Sequence, residues 1–279
     1  MKKLSVIMGV HNIEHLWVFE KSIQSVLNQS YDDFEFIICD DGSTDRTYEI
    51  LCAYEKRDAR VILLKNKTNR GLAYSLNRCM QKAQGEYLAR HDADDISHQK
   101  RFEIQMNYMK QHPNISFSGT NAALFDRSGV WGRRILPLRP QKKDFLFTDP
   151  FVHGTLIFKK QDLLELGGYR IRKETRRAED YDLLMRMYAH GKYGENLQEC
   201  LYFFLEDAAA YSRRKYRFRF DEASVRWKGF WALGLMPKAL PYVIKPLFVG
   251  LLPGSVLKRL KNGRSIQIQE SKEFQKFVK

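Results

Sequence analysis

Phe34-Glu35-Phe36-Ile37-Ile38-Cys39-Asp40-Asp41-Gly42-Ser43-Thr44-Asp45 is the stretch from which the rest of the chain can be read. Its first half is an apolar run of strand length. It stops abruptly at two aspartates, an Asp-Gly turn and a Ser/Thr/Asp cluster suited to opening a helix, and a helix-period segment follows near 45–57. Outward from there the same unit recurs. Strands are predicted at Leu4 to Met8, Phe34 to Cys39, Val61 to Leu64 and Tyr87 to Ala89, separated by amphipathic helices near 15–28, 45–57, 70–83 and 98–111. Strands alternating with helices predict an α/β fold with a mostly parallel central sheet flanked by helices. Beyond residue 112 the pattern loosens, with strands at Ile115 to Ser118 and Thr155 to Phe158 and helices near 160–166 and 180–190.

Every early strand ends in polar residues: Val10-His11-Asn12, Asp40 to Asp45, Asn69-Arg70-Gly71, and His91-Asp92-Ala93-Asp94-Asp95. The carboxyl ends of parallel strands share one edge, where open α/β sheets bind ligands, so the four clusters should converge on one crevice. Asp92-Ala93-Asp94 offers two hard oxygen donors to Mg²⁺ or Mn²⁺, and such a cation commonly bridges phosphates. The same acids also suit the cap of a following helix. Adjacent Asp40 and Asp41 repel each other and call for hydrogen-bond donors, which a nucleobase or ribose edge would supply. With no G-x-G-x-x-G after a strand and no G-x-x-x-x-G-K-[ST], a nucleotide here would be held by carboxylates and metal.

The 279 residues, 44% hydrophobic and 13% aromatic, suffice for one large α/β domain plus a smaller appendage and exclude a disordered or fibrous chain. The four cysteines show no C-x-x-C spacing and read as reduced, mostly buried thiols, as in the cytoplasm. Met1-Lys2-Lys3-Leu4 runs straight into a strand, so no secretory signal is expected. The net charge of +14 is lopsided: from Glu206 to Lys279 there are sixteen Lys/Arg against six Asp/Glu. Arg213-Arg214-Lys215-Tyr216-Arg217-Phe218-Arg219-Phe220 interleaves cations with aromatics. Pro237 to Leu257 is apolar but interrupted by Lys238, Lys245, Pro241, Pro246 and Pro253, and Lys258-Arg259-Leu260-Lys261 follows. This predicts a segment lying at an anionic membrane surface rather than spanning it. A nucleic-acid partner is not expected, because it would need a cationic groove and the convergent strand ends are acidic.

The order Ser5-Val6-Ile7, Val10-His11-Asn12, Asn28-Gln29-Ser30-Tyr31, Asp40 to Asp45, Asn69-Arg70-Gly71, Gly85-Glu86-Tyr87, Asp92 to Asp95, Gly167-Gly168-Tyr169 and Glu179-Asp180-Tyr181-Asp182 resembles family 2 of the inverting nucleotide-sugar glycosyltransferases, of the bacterial surface-polysaccharide type. The resemblance implies a GT-A (Rossmann-like) domain over 1–205, with a nucleotide-binding half at 1–112 and an acceptor-binding half at 113–205. Residues 206–279 would form a basic, helical, membrane-associating extension. By position it implies that Asp41 meets the nucleobase, that Asp92 lies near ribose and metal, and that Asp94 coordinates the metal, Mn²⁺ or Mg²⁺. Val10, Asn12, Asp40, Asn69, Ala93 and Glu179 would line the same nucleotide-sugar pocket. Asp180 would be the general base that deprotonates the acceptor hydroxyl, although Glu179, Asp180 and Asp182 also read as first-turn acids favoured by a helix dipole. His153 is placed among the ligand contacts, while a histidine beside an apolar strand equally reads as a hydrogen-bonded packing residue.

The implied donor is a UDP-sugar, the acceptor a saccharide or lipid-linked saccharide, and the location the cytoplasmic face of the inner membrane, peripherally bound. The chain departs from the family at His11, where tyrosine is usual, and at Leu205-Glu206-Asp207, where an arginine-bearing end is common. It lacks the Q-x-x-R-W of processive synthases, since Arg226-Trp227 is preceded by Ala223 rather than glutamine, so one sugar per acceptor is expected. The competing functions are a metal-dependent sugar nucleotidyltransferase, which would release pyrophosphate from a triphosphate, and a non-catalytic nucleotide or nucleic-acid binding module.

Overall fold

A computed structural model describes residues 2–206, 216, 218–249 and 266–267. Four βα units open the chain: β1 (Leu4–Val10), α1 (Leu16–Leu27), β2 (Phe34–Asp40), α2 (Thr47–Arg57), β3 (Val61–Lys65), α3 (Leu72–Lys82), β4 (Tyr87–Arg90) and α4 (Arg101–Gln111), with the two-residue β5 (Ile96–Ser97) ahead of α4. The second half adds β6 (Phe117–Asp126), β7 (Gly129–Arg134), β8 (Ile157–Lys159), α5 (Lys160–Glu165), α6 (Glu179–Ala189), β9 (Gly194–Leu205), α7 (Phe218–Ala232), α8 (Leu240–Val249) and β10 (Ile266–Gln267). The sheet runs β10-β7-β6-β8-β4-β1-β2-β3, and β9 pairs with β5 and β6. β1 to β4 are mutually parallel, β8 is antiparallel to both β4 and β6, and β9 lies parallel to β6.

Side-chain alternation sends the central strands into two cores, as it must when both faces of a sheet are covered. Ile7, Ile37 and Cys39 join Leu76, Phe117, Phe158 and Leu184 on one face. Val6, Met8, Phe36 and Ile38 join Phe19, Ile23, Phe102 and Met106 on the other. Glu35, a charge within β2, is buried and satisfied by Ser5 Oγ and the Gln84 N–H, each at 2.6 Å.

The C-terminal helices are not peripheral to packing, since Val225, Phe230 and Val243 enter the first core. Among the described residues no helix is long and apolar enough to cross a membrane. Most of the basic run at 213–217, residues 250–257 of the apolar stretch, and Lys258-Arg259-Leu260-Lys261 lie outside the described residues.

Candidate functional site

Register places the polar strand ends together: Val10 pairs with Asp40, Asp40 with Lys65, and Ile7 with Arg90. The loops after β1 and β2 are then stitched directly. Asn12, at φ 48, accepts from the Thr44 N–H (2.9 Å) and donates its own N–H to Ser43 Oγ (3.0 Å), and Asp45 accepts from the Ile13 N–H (3.0 Å). Asp45 also accepts from the Thr47 N–H (3.0 Å), the helix-opening role its position suggested.

The two aspartates divide the work. Asp41 accepts from Asn66 Nδ2 (2.6 Å) and from the Arg70 (2.9 Å) and Gly71 (2.7 Å) N–H groups at the start of α3. The donors that its charge required therefore come from the protein, two from the Asn69-Arg70-Gly71 cluster and one from Asn66, which no motif marks, and Asn69 is exposed on the same loop. Asp40 is fully buried; one oxygen accepts from the Ser43 N–H (3.3 Å) and the other has no partner among the described residues.

Asp92 to Asp95 do not cap α4, which begins at Arg101 after β5. They surround a buried cation instead. The guanidinium of Arg90, completely inaccessible, donates to Asp92 Oδ1 and to the His91 carbonyl. Arg101 supports this layer through Ser97 Oγ (2.9 Å) and the Arg90 carbonyl (2.8 Å), and burial lowers its pKa to about 10. His91 sits between Ser22 Oγ (3.0 Å) and Ser97 Oγ (3.2 Å), held neutral by burial and by the two arginines. Tyr202 Oη accepts from the Asp92 N–H (3.0 Å), and a side chain at Gly154 would collide with that hydroxyl and meet Asp92 Oδ2 at 2.9 Å. Buried Asp95 accepts from the Leu205 N–H (2.8 Å), which ties the acidic loop to β9. Asp94 is exposed to solvent, yet partial burial of its carboxyl and then the charge of Asp92 push it up to about 6.

The opposite wall is the N-terminus of α6. Burial, then the neighbouring Asp180, raises Glu179 to about 7; burial also raises Asp180, which feels both Asp92 and Arg90. The two acidic motifs are therefore near enough to feel each other's charge. Asp182 is fully engaged by Arg186 (2.8 Å) and Arg170 (3.1 Å), whereas Asp180 accepts from the Tyr181 N–H (2.8 Å) and forms no ion pair among the described residues. A dipole-favoured acid would be expected at lowered pKa, so here burial outweighs the dipole. Gly167 and Gly168, at φ 71 and 69, turn the chain so that Asn77 grips both backbone groups of Tyr169. Tyr169 Oη meets His153 Nε2 at 2.8 Å, which fits the packing role for that histidine and leaves Nδ1 as its other ring nitrogen.

The donor set suits a hard divalent cation. Asp92 Oδ2 and the Asp94 carboxylate are hard oxygen donors whose mutual repulsion such a charge would relieve. Among the described residues no group of three or more His, Cys, Asp or Glu side chains is arranged to hold a metal unaided, so phosphate and water oxygens would complete the shell, as Mg²⁺-type sites allow. Arg90, Asn66 and Tyr202 lie outside the motifs legible in the sequence. Only Arg90, an ionisable residue closing an apolar strand two positions before Asp92, carried a usable signal.

The profile of "Glycosyl transferase family 2" matches residues 5–168. EpsE of Bacillus subtilis, described as a glycosyltransferase, is 39% identical over 269 residues, 96% of each chain. The O-antigen biosynthesis glycosyltransferase WbnJ of Escherichia coli is 34% identical over 71% of this chain and 77% of its own. Escherichia coli WfgD, a UDP-Glc:alpha-D-GlcNAc-diphosphoundecaprenol beta-1,3-glucosyltransferase, is 35% identical over about half of each, 48% and 51%. The fold is shared with S. aureus TarS in complex with UDP-GlcNAc (TM-score 0.67, 17% identity, 87% of this chain and 73% of that one). It is also shared with the Pyrobaculum calidifontis mannosyltransferase PcManGT in complex with GDP-Man and Mn²⁺ (TM-score 0.60, 19% identity, 99% and 84%).

Proposed function

The chain belongs to glycosyl transferase family 2 and is a glycosyltransferase of the surface-polysaccharide type, and from that premise we propose that it moves one sugar, with inversion, from a UDP-sugar to a lipid-linked saccharide. Membership sets aside nucleotidyl transfer and a purely binding role. The observation that carries the mechanism is Asp180: half-buried, raised in pKa, free of ion pairs among the described residues, and facing the Asp92 loop.

Residues 1–112 supply the donor side. Asp40 and Asp41, with Val10, Asn12 and Asn69, frame the nucleoside end. Asp92, Ala93 and Asp94 face the diphosphate, with His153 and Glu179 close to the sugar. A divalent cation on Asp92 and Asp94 would neutralise charge on the departing diphosphate. Arg90 keeps Asp92 oriented toward the crevice. Residues 113–205 form the acceptor side. Asp180 takes the proton of the acceptor hydroxyl as that oxygen bonds to the anomeric carbon, and the bond from that carbon to the diphosphate breaks, its electron pair leaving with UDP. The base cannot be a metal ligand, because it acts from the face opposite the leaving group.

A uridine donor is supported by the names of TarS and WfgD, a lipid-linked acceptor by that of WfgD, and a metal by that of PcManGT. The basic segment 206–279 fits peripheral attachment at the inner membrane's cytoplasmic face. The test is product analysis with a panel of UDP-sugars and UTP. Free UDP with an inverted anomer is expected; retention of configuration would overturn the single displacement, and pyrophosphate release from UTP would overturn glycosyl transfer.

A further inference from the structure

α7 and α8 each carry two apolar faces. One faces inward through Val225, Phe230 and Val243. The other faces solvent: Phe220, Trp227 and Trp231 recur at seven- and four-residue spacing along α7, and Leu240, Ile244 and Phe248 at four-residue spacing along α8. These six are between 41% and 66% exposed, and the indole rings of Trp227 and Trp231 stack at 6.1 Å. A helix on the surface of a monomer places polar residues on that side, and a contiguous apolar patch marks a contact site.

From these two stripes we infer that the outer face of α7 and α8 is a docking surface for anionic lipid, with the tryptophans entering the headgroup boundary. The side-chain types fit, since tryptophan carries an apolar body and a polar N–H suited to that depth. Charge complements them. The sequence on either side of the helix pair is strongly cationic, with four Lys/Arg against one acid in 207–217 and seven against two in 250–279. An apolar face flanked by cations binds acidic bilayers through both terms together.

The face is also joined to the catalytic wall. Lys228 pairs with Glu174 at 2.7 Å, and the Arg177 guanidinium lies 4.8 Å from the Phe218 ring, so the segment leading into Asp180 rests on α7. Docking would set the acceptor side against the bilayer. This deepens the membrane-attachment reading above, rests on it, and adds Phe220, Trp227 and Trp231, which the apolar stretch beginning at Pro237 did not include.

The experiment is co-sedimentation and tryptophan emission of the full chain with vesicles of phosphatidylcholine alone or in equimolar mixture with phosphatidylglycerol. Wild type should bind the acidic vesicles with a blue-shifted emission. Trp227→Ser/Trp231→Ser should partition about tenfold less well or worse, while its thermal shift with UDP and Mn²⁺ is retained. Phe248→Asp, at the other stripe, should weaken binding independently of the tryptophans. No binding by wild type would overturn the proposal, as would unchanged binding by both variants. So would a wild-type dimer that becomes monomeric in the variants, because the face would then bind a second copy. Vesicle binding by a protein without any UDP shift would uphold the docking face and sink the donor reading.

Discussion

Replacing Asp41 by asparagine separates a structural carboxylate from a ligand-binding one. In the folded protein Asp41 is 4% exposed and accepts three hydrogen bonds that pin the Asn66 to Gly71 loop to the end of β2. Asparagine keeps one acceptor oxygen and turns an NH₂ group toward an existing N–H donor. Charge-assisted bonds are worth about 1.5–3 kcal/mol each, so losing one and weakening the others should cost about 3 kcal/mol, or about 6–12 °C in Tm. The assay is thermal unfolding without nucleotide or metal. Asp40→Asn is the control: the unpartnered buried oxygen of Asp40 has no intraprotein bond to lose, so a small effect is expected. An unchanged Tm for Asp41→Asn, together with loss of the nucleotide-induced shift, would refute the stapling role.

Asp180→Asn should lower kcat by about 10²- to 10⁴-fold while leaving UDP binding nearly intact, and single-turnover rates beside titration calorimetry would check both. Glu179→Gln should stabilise the unliganded protein at about pH 8, because burial and Asp180 disfavour the ionised acid. That advantage should fade as pH falls through about 7, where the wild-type carboxyl takes up its proton in the folded state; Tm difference against pH reads it, and a growing difference would contradict the sign. Gly168→Ala should cost about 2–3 kcal/mol in denaturant unfolding, since φ is 69 and the added Cβ would stand 2.5 Å from Met80 Cε and 2.6 Å from Asn77 Oδ1.

The four βα units were legible because each strand is a short apolar run and each helix carries its own period, signals that need no partner. Their convergence followed from parallel pairing alone. β9 was harder to see: its first half contains Glu195, Asn196, Gln198 and Glu199, and it is a strand because it lies along β6 and because Asn196 donates to the Pro137 and Pro150 carbonyls (3.0 Å each). Asp94 and Asp180 stood out as acids at element ends. Arg101 did not, and Arg90 was marked only by its place at the end of an apolar strand, because arginine in a sequence reads as surface, and only the tertiary layer of Asp92, Ser97, Gln105 and Tyr202 makes their burial possible. The outer stripes of α7 and α8 were half visible, as apolar composition without any sign of which side the core would leave bare.

A nucleotide-sugar site at the strand ends would hold its diphosphate end through metal at Asp92 and Asp94. Its most direct test is the thermal shift of wild type and Asp94→Asn with UDP, GDP, CDP or dTDP, each with Mn²⁺ or with EDTA. Saturation at about 100 times Kd should stabilise wild type by about 2.7 kcal/mol with UDP and Mn²⁺ together, and the shift should vanish with EDTA or in the variant. A full shift in EDTA, or one that survives in Asp94→Asn, would contradict it.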